Sequence, residues 1–297
     1  MARRDVVLFF GGGAMSGVFG AGVATALQEQ NCYDRIEAVY GASAGACNGA
    51  YFLTRQAYIG SSIYYEDLLQ RFIQGRHLPL GLIQRWWNRY VFPISKDRIK
   101  NVIDIEYMID VMKTKKVLDT GKLKNQPIPL YVKLLEVQSG SVSYFDMRKY
   151  EPLDIIHAAT SVAPYYFSFH TIDGKIYIDA VIKDPIGADY LLSKHPQSKI
   201  IIQMNRKYEH NALQSLVRWI EKKTLKVMHG IHIEAAYADS DSRRELELEK
   251  LAQNPRVLII QPDRDASLAP HETNKERLLY SYRAGKKKGL EIVKWIS

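Results

Sequence analysis

The sequence predicts an α/β fold with a parallel sheet, and three observations carry that reading. Val6–Phe10 and Ile36–Tyr40 are short, continuous apolar runs, the pattern of strands buried on both faces rather than on one. Each run stops abruptly in a glycine-rich turn, Gly11-Gly12-Gly13 after the first and Gly41-Ala42-Ser43-Ala44-Gly45 after the second. Each turn opens a segment of small and apolar residues of helical length, from Met15 to about Gln30 and from Ala46 to Thr54. Strand, loop, helix, strand, turn, helix within the first 55 residues implies parallel strands with helices on their faces.

The remaining elements follow in order. Tyr58 to Asn125 is rich in aromatic and basic residues and is predicted to be mostly helical. Leu130–Val137 and Val142–Phe145 are predicted strands joined at Ser139-Gly140. Leu153–Ser161 has the length of a short helix, stopped by Pro164. Thr171–Ile178 is a tight hairpin with Asp173-Gly174 at its turn. Lys199–Met204 and Val257–Ile260 are further buried strands. Leu213–Leu251 is a long helical region with a break near Gly230, and Lys275–Ile296 is a terminal helix. There is no repeat and no low-complexity linker, so one domain over residues 1–297, with a helical insertion at 58–125, accounts for the pattern.

The N-terminus could mislead. Val6 to Leu27 is a stretch of 22 uncharged residues preceded by Arg3 and Arg4, which imitates a membrane span or an export signal. Six glycines, three of them consecutive, oppose a continuous helix there and favour strand, loop and helix. Two cysteines, Cys32 and Cys47, exclude a disulfide scaffold and suit a reducing, cytoplasmic setting. A net charge of +9 favours anionic partners. No nucleic-acid-binding motif accompanies that charge, so a membrane surface or acidic substrate is expected instead.

The chemistry concentrates in the two turns. Gly41-x-Ser43-x-Gly45 between a strand and a helix has the form of a nucleophile elbow, which projects a serine hydroxyl at the end of a sheet. The plainer reading of Ser43 is a helix N-cap. Gly11-Gly12-Gly13 before a helix offers backbone N–H groups to an anion. A dinucleotide fingerprint does not fit, because Ser16 stands where its third glycine belongs and no acidic residue ends the second strand. A P-loop does not fit, because no lysine follows Gly17. The eight histidines fall in no triad motif.

Taken together, Gly11-Gly12-Gly13-x-x-x-Gly17, Gly41-x-Ser43-x-Gly45, Ala158-Ala159-Thr160-Ser161-x-Ala163-Pro164-x-x-Phe167 and Tyr177-Ile178-Asp179-Ala180 resemble the patatin-like phospholipases. Tyr282-Arg283-Ala284-Gly285 is similar to that family's terminal helix. The resemblance implies a three-layer α/β/α fold and a serine lipid acyl hydrolase of the phospholipase A or lysophospholipase type. It implies Ser43 as nucleophile, Asp179 as its base, Gly11, Gly12 and Gly13 as the oxyanion hole, and neither metal nor cofactor. Asp184, five residues on and before Pro185, is the rival acid. Two positions depart from the family: Ser16 replaces a frequent basic residue, and Asp179-Ala180-Val181 replaces Asp-Gly-Gly. A positive φ at Ala180 would cost roughly 1 kcal/mol or more. The departures leave room for the alternative of an inactive lipid-binding or regulatory module.

Arg85-Trp86-Trp87-Asn88-Arg89-Tyr90-Val91-Phe92 mixes basic and indole groups, as peripheral membrane contacts do. Lys286-Lys287-Lys288 reads as a solvated helix face, and Cys47, one turn after Ser43, as a small core residue.

Overall fold

The computed structural model describes residues 4–74, 101–163, 165–166, 169–207, 237 and 239–297. The chain opens with strand β1 (Val6–Phe10), a 3₁₀ turn (Ala14–Gly17) and helix α1 (Val18–Glu29). Strand β2 (Ile36–Gly41) leads into α2 (Ala44–Leu53), α3 (Ala57–Ser62) and a π turn at Ile63–Asp67. Helices α4 (Ile105–Thr114) and α5 (Thr120–Lys124) precede the hairpin of β3 (Leu130–Glu136) and β4 (Val142–Asp146). Helix α6 (Pro152–Thr160) is followed by β5 (Thr171–Ile172), β6 (Lys175–Asp179) and a 3₁₀ turn at Ala180–Ile182. Then come α7 (Ala188–Lys194), β7 (Lys199–Gln203), α8 (Ser240–Ala252), β8 (Val257–Ile260) and α9 (Lys275–Ile296).

The uncharged N-terminal stretch is therefore strand, turn and helix, as its glycines predict. No described helix is long and apolar enough to cross a membrane. Of the region 58–125, the described parts are largely helical, with one antiparallel bridge between Ile73 and Ile103. The Arg85–Phe92 cluster and the predicted break near Gly230 lie outside the described residues. Helix α7 was not foreseen; its seven residues follow Gly187 too closely on a proline-containing turn to show a period.

Strands β3, β2, β1, β7 and β8 are neighbours in that order and all pair in parallel, while β4, β5 and β6 join antiparallel. The sheet is thus mostly parallel, and its strands are apolar throughout because both faces are covered. Val6, Leu8 and Phe10 of β1 face one core with residues of α1, α2, α4, α6 and α9. Val7 and Phe9 face the other with residues of α7 and α8. Three layers, helix–sheet–helix, result.

The arrangement around β3 places the site. Strand β4 pairs along residues 131–135 of β3 and so occupies one of its edges. Strand β2 pairs with residues 130–132 and β6 with residues 134–136, so these two share the opposite edge. They run in opposite directions, β2 ending at Gly41 opposite Val132 and β6 ending at Asp179 opposite Leu134. Their C-terminal ends meet with one β3 residue, Lys133, between the two registers.

Helices α1 and α9 pack at backbone distance. A Cβ on Gly285 would stand 2.0 Å from the Phe19 carbonyl oxygen, and one on Gly22 would stand 2.1 Å from that of Tyr282. Gly285→Ala therefore forces the helices apart. It should cost about 1–3 kcal/mol, the usual range for overpacking, read as a fall in thermal midpoint; an unchanged midpoint would contradict this packing.

Candidate active site

Ser43 sits between β2 and α2 with φ 53° and ψ −128°, a left-handed conformation that a serine adopts only when its surroundings impose it. The Ala42 N–H donates to the Phe10 carbonyl at 3.1 Å, fixing the end of β2 against β1. The Gly45 N–H donates to the Ala42 carbonyl at 2.8 Å and starts α2. The Ser43 hydroxyl caps no backbone N–H of the helix; it lies near enough to the Asp179 carboxylate to favour its ionised form. Its side chain thus makes no N-cap hydrogen bond, and the residue stands in a strained turn between a strand and a helix.

Asp179 ends β6 and is 2% exposed; Ser43 is 5% exposed. The Asp179 N–H donates to the Ser161 carbonyl at 3.2 Å, which ties the strand end to the segment after α6. Its Oδ1 accepts from the Val181 N–H at 3.0 Å, capping the 3₁₀ turn. Burial pushes the carboxyl from its ordinary value of 3.8 up to about 6, against the Val181 N–H, the Ser43 hydroxyl and the charge of Lys133, all of which pull it down.

The glycine loop approaches Ser43 from β1. A Cβ on Gly12 would lie 2.8 Å from the Ser43 Cβ and 3.4 Å from Val181 Cγ2, so only a glycine lets the backbone come this near the hydroxyl. The three glycines are not equivalent. The Gly11 N–H donates to the Gln203 carbonyl at 2.8 Å and continues the β1–β7 ladder, so it is not free for an oxyanion. This corrects the expectation that Gly11 donates alongside the others. Among the described residues, no acceptor engages the N–H of Gly12 or Gly13. The Ser16 hydroxyl donates to the Gly13 carbonyl at 2.7 Å, closing the turn in which Gly13 has φ 146°.

A brace that the sequence did not reveal holds this loop. Asn205, 1% exposed, donates through Nδ2 to the carbonyls of Gly11 (2.6 Å) and Gly12 (3.1 Å). Its Oδ1 accepts from the Gly20 N–H at 2.9 Å and from Gln203 Nε2 at 3.0 Å. With both carbonyls turned toward Asn205, the loop is fixed between β7 and α1. Asn205 lies 194 positions from Gly11 and in no motif, so nothing local signals it.

The rival acid is committed elsewhere. Asp184 Oδ2 accepts from the Tyr144 hydroxyl at 3.2 Å, and its Oδ1 lies 3.7 Å from Lys133 Nζ. Ala180 is in the 3₁₀ turn and does not have positive φ, so replacing the family's glycine carries no backbone penalty. Among the described residues no histidine bonds to Ser43 or Asp179. His157 pairs with Glu106 at 2.9 Å, His170 with Asp154 at 3.4 Å, and His195 with Tyr40 and Glu37 at 2.8 Å each. His77, His210, His229 and His232 lie outside the described residues. No group of three or more His, Cys, Asp or Glu suited to a metal ion occurs among the described residues.

Beside Ser43 lies a narrow, largely apolar cavity of about 40 Å³, partly open to solvent. Ala44, Cys47 and Tyr51 of α2 form one wall. The opposite wall is Ile63, Tyr64, Leu68, Phe72, Ile103, Met108 and Met112, all from the region 58–125. That region is therefore a wall of the site. The Tyr64 hydroxyl donates to Asn48 Oδ1 at 3.1 Å, and Asn48 Nδ2 donates to the Gly17 carbonyl at 2.9 Å, linking this wall to α2 and the glycine loop. The Cys47 thiol is pushed up to about 12 by burial, which fits an inert core residue.

A family model for patatin-like phospholipase matches residues 8–192, which include the glycine loop, Ser43 and Asp179. The uncharacterized protein YjjU of Escherichia coli (strain K12) is 22% identical over 242 residues, covering 79% of this chain and 63% of YjjU, so the chain spans less than two thirds of that relative. The crystal structure of VipD from Legionella pneumophila matches with a TM-score of 0.49 and 12% identity, over 98% of this chain and 67% of VipD. Since the family match takes in more than half of the 297 residues, the chain belongs to the patatin-like phospholipase family.

Proposed function

We propose that the protein hydrolyses acyl esters of phospholipids or lysophospholipids, with Ser43 as nucleophile and Asp179 as its base. Membership of the family supports a lipid acyl hydrolase in general. The single observation that carries the finer reading is that β2 and β6 end one β3 residue apart, which brings the buried Ser43 and Asp179 together with the Gly12 backbone at contact distance. The Ser43 hydroxyl attacks the ester carbonyl while Asp179 accepts its proton. The tetrahedral oxyanion is held by the N–H groups of Gly12 and Gly13, a stabilisation that typically accounts for about 10²–10³ in kcat per donor. Asp179 then returns the proton to the departing alkoxide. A water molecule, deprotonated by Asp179, releases the acyl group from Ser43.

The apolar cavity next to Ser43 supports an acyl chain as the group transferred. The net charge of +9 supports work at an anionic membrane surface, bound peripherally. Of the three adjacent lysines of α9, Lys286 and Lys288 are paired with Glu29 and Glu291, so this run is not a dedicated lipid site. Binding to vesicles of anionic phospholipid should weaken as salt rises, because exposed charges are screened beyond about 8 Å at physiological ionic strength. Equal binding to neutral and anionic vesicles at low salt would contradict the surface preference.

Ser43→Ala should abolish hydrolysis of a short-chain p-nitrophenyl ester and of phospholipid. A fluorophosphonate adduct should map to Ser43 by mass spectrometry; labelling of a different serine would exclude it as nucleophile.

Asp179→Asn should lower activity by orders of magnitude and also change stability in a direction that can be worked out. The carboxyl titrates at about 6 when folded and near 3.8 when unfolded, so the unfolded state gives up its proton first. The group's stabilising contribution is complete below the unfolded value and is lost as pH rises through the folded one. Above pH 7 the ionised side chain costs the fold about 2–3 kcal/mol, at 1.36 kcal/mol per pH unit. Asp179→Asn should therefore raise the thermal midpoint at pH 8, with the gain vanishing near pH 4. A midpoint difference independent of pH would show that Asp179 is not held in this way.

A further inference from the structure

We propose that Lys133 is a positioning residue for the Ser43–Asp179 pair: its buried ammonium clamps the Asp179–Asp184 turn to β3 and places a positive charge at the foot of the turn that Asp179 begins. The inference rests on the reading of Asp179 as the base. Lys133 stands on β3 between Val132, which is opposite Gly41, and Leu134, which is opposite Asp179. It occupies the point where the strand carrying the nucleophile and the strand carrying the acid come end to end.

Its side chain is 1% exposed and enters the core shared with α7 and α8. The ammonium lies 5.3 Å from the centre of the Phe9 ring, donates to the Asp184 main-chain carbonyl, and is 3.7 Å from Asp184 Oδ1. Burying an ammonium costs several kcal/mol unless it is paired and hydrogen-bonded, and a sheet core would be served as well by valine or leucine. A lysine here therefore does something that packing does not require.

The charged groups that face it are few. Asp179 comes from β6, Asp184 from the following turn, and Glu247 from α8. Glu247 is already engaged by the N–H groups of Ile186, Gly187 and Ala188, at 3.1, 2.9 and 2.9 Å. Asp184 is shared with the Tyr144 hydroxyl of β4. Arg243 of α8 donates to the Lys183 carbonyl on the same turn, so it braces the backbone. Burial pushes the Lys133 ammonium below its ordinary value, and the three carboxylates push it back toward the charged form. In return, Lys133 lowers the carboxyl of Asp179 against its own burial. Lys133 thus favours the ionised form of Asp179, while Asp184 serves as the lysine's own partner.

That effect of the lysine gives the test. The ionisation midpoint of Asp179 is read directly by carbon-13 NMR of protein labelled at the aspartate carboxyl carbon, the resonance being assigned by its absence in Asp179→Asn. The acidic limb of kcat/KM on a p-nitrophenyl ester is recorded alongside. Lys133→Met should move both midpoints up, the direction expected on losing an opposite charge. Lys133→Arg, which keeps the charge, should leave them near wild type. Local damage alone would lower activity at every pH without moving the midpoints. Coincident midpoints in wild type and Lys133→Met overturn the proposal. If Lys133→Met does not fold, an unmoved midpoint in Lys133→Gln does so. Midpoints that move as expected in a protein without Ser43-dependent hydrolysis would uphold the electrostatic role and sink the dyad reading. Unmoved midpoints with hydrolysis that depends on both Ser43 and Asp179 would do the reverse.

Discussion

The site depends on one constraint, the sharing of a single edge of β3 by two strands that approach from opposite ends. With β4 on the far edge, β2 and β6 can pair only along residues 130–132 and 134–136 of the near one. Their terminal residues are held by ladder hydrogen bonds about one residue apart, so whatever follows Gly41 must meet whatever stands at Asp179. Neither side chain has to search for the other. The backbone fixes the encounter, and the strained φ at Ser43 is tolerated because α2 begins immediately and Ala42 is tied to Phe10. Strain of this kind persists only where the surroundings over-determine it.

The same geometry explains what the sequence could and could not disclose. Buried parallel strands leave a strong trace, a run of apolar residues closed by glycine, and β1 and β2 were legible for that reason. Ser43 stood out in the sequence because a glycine-flanked turn between strand and helix is a local object of five residues. Asp179 was singled out only through the block that resembles a family, since an acid at the end of a hairpin looks like any turn residue; it does also cap the turn at Val181. Asn205 and Lys133 left no trace. The first acts across 194 positions on carbonyl groups, and the second is a lysine in a strand, which periodicity alone assigns to solvent. Gly11 shows the converse limit: three consecutive glycines look alike in sequence, but the ladder to β7 takes the first amide and leaves the next two. The region 58–125 was read as an insertion because its aromatic content has no clear period. In its described parts that content faces a cavity, where side chains are chosen to leave room and not to interdigitate.

Around Asp179, burial and polarity are set against each other to a useful end. A carboxylate in water is a feeble base, and desolvation alone would carry it so high that it stayed protonated at neutral pH. The Val181 N–H, the Ser43 hydroxyl and the charge of Lys133 draw it back to about 6. At pH 7 such a group is ionised about nine-tenths of the time, by the titration relation at one pH unit above its midpoint. It is therefore both more basic than an exposed aspartate and still available to accept a proton.

This balance has a cost that falls on the fold. Two nearly inaccessible charges, on Asp179 and Lys133, stand where apolar side chains would pack at least as well. Replacing a buried ion pair by hydrophobic residues is often neutral or stabilising, whereas leaving one charge unpaired is severe, as Lys133 would be without Asp184. The remainder of the network reads as provision against that severity. Glu247 ties down the start of α7 through three N–H groups, Arg243 holds the Lys183 carbonyl, and Tyr144 shares Asp184 with Lys133. Each of these contacts fixes the backbone of the segment 179–188, so that the carboxylates cannot relax toward water when a proton moves. A site that must hold a charged acid in a dry core has to be built on a rigid turn. Here the turn is rigid because nearly every polar group near it is matched from β3, β4 or α8, three elements that the chain brings together from far apart in sequence.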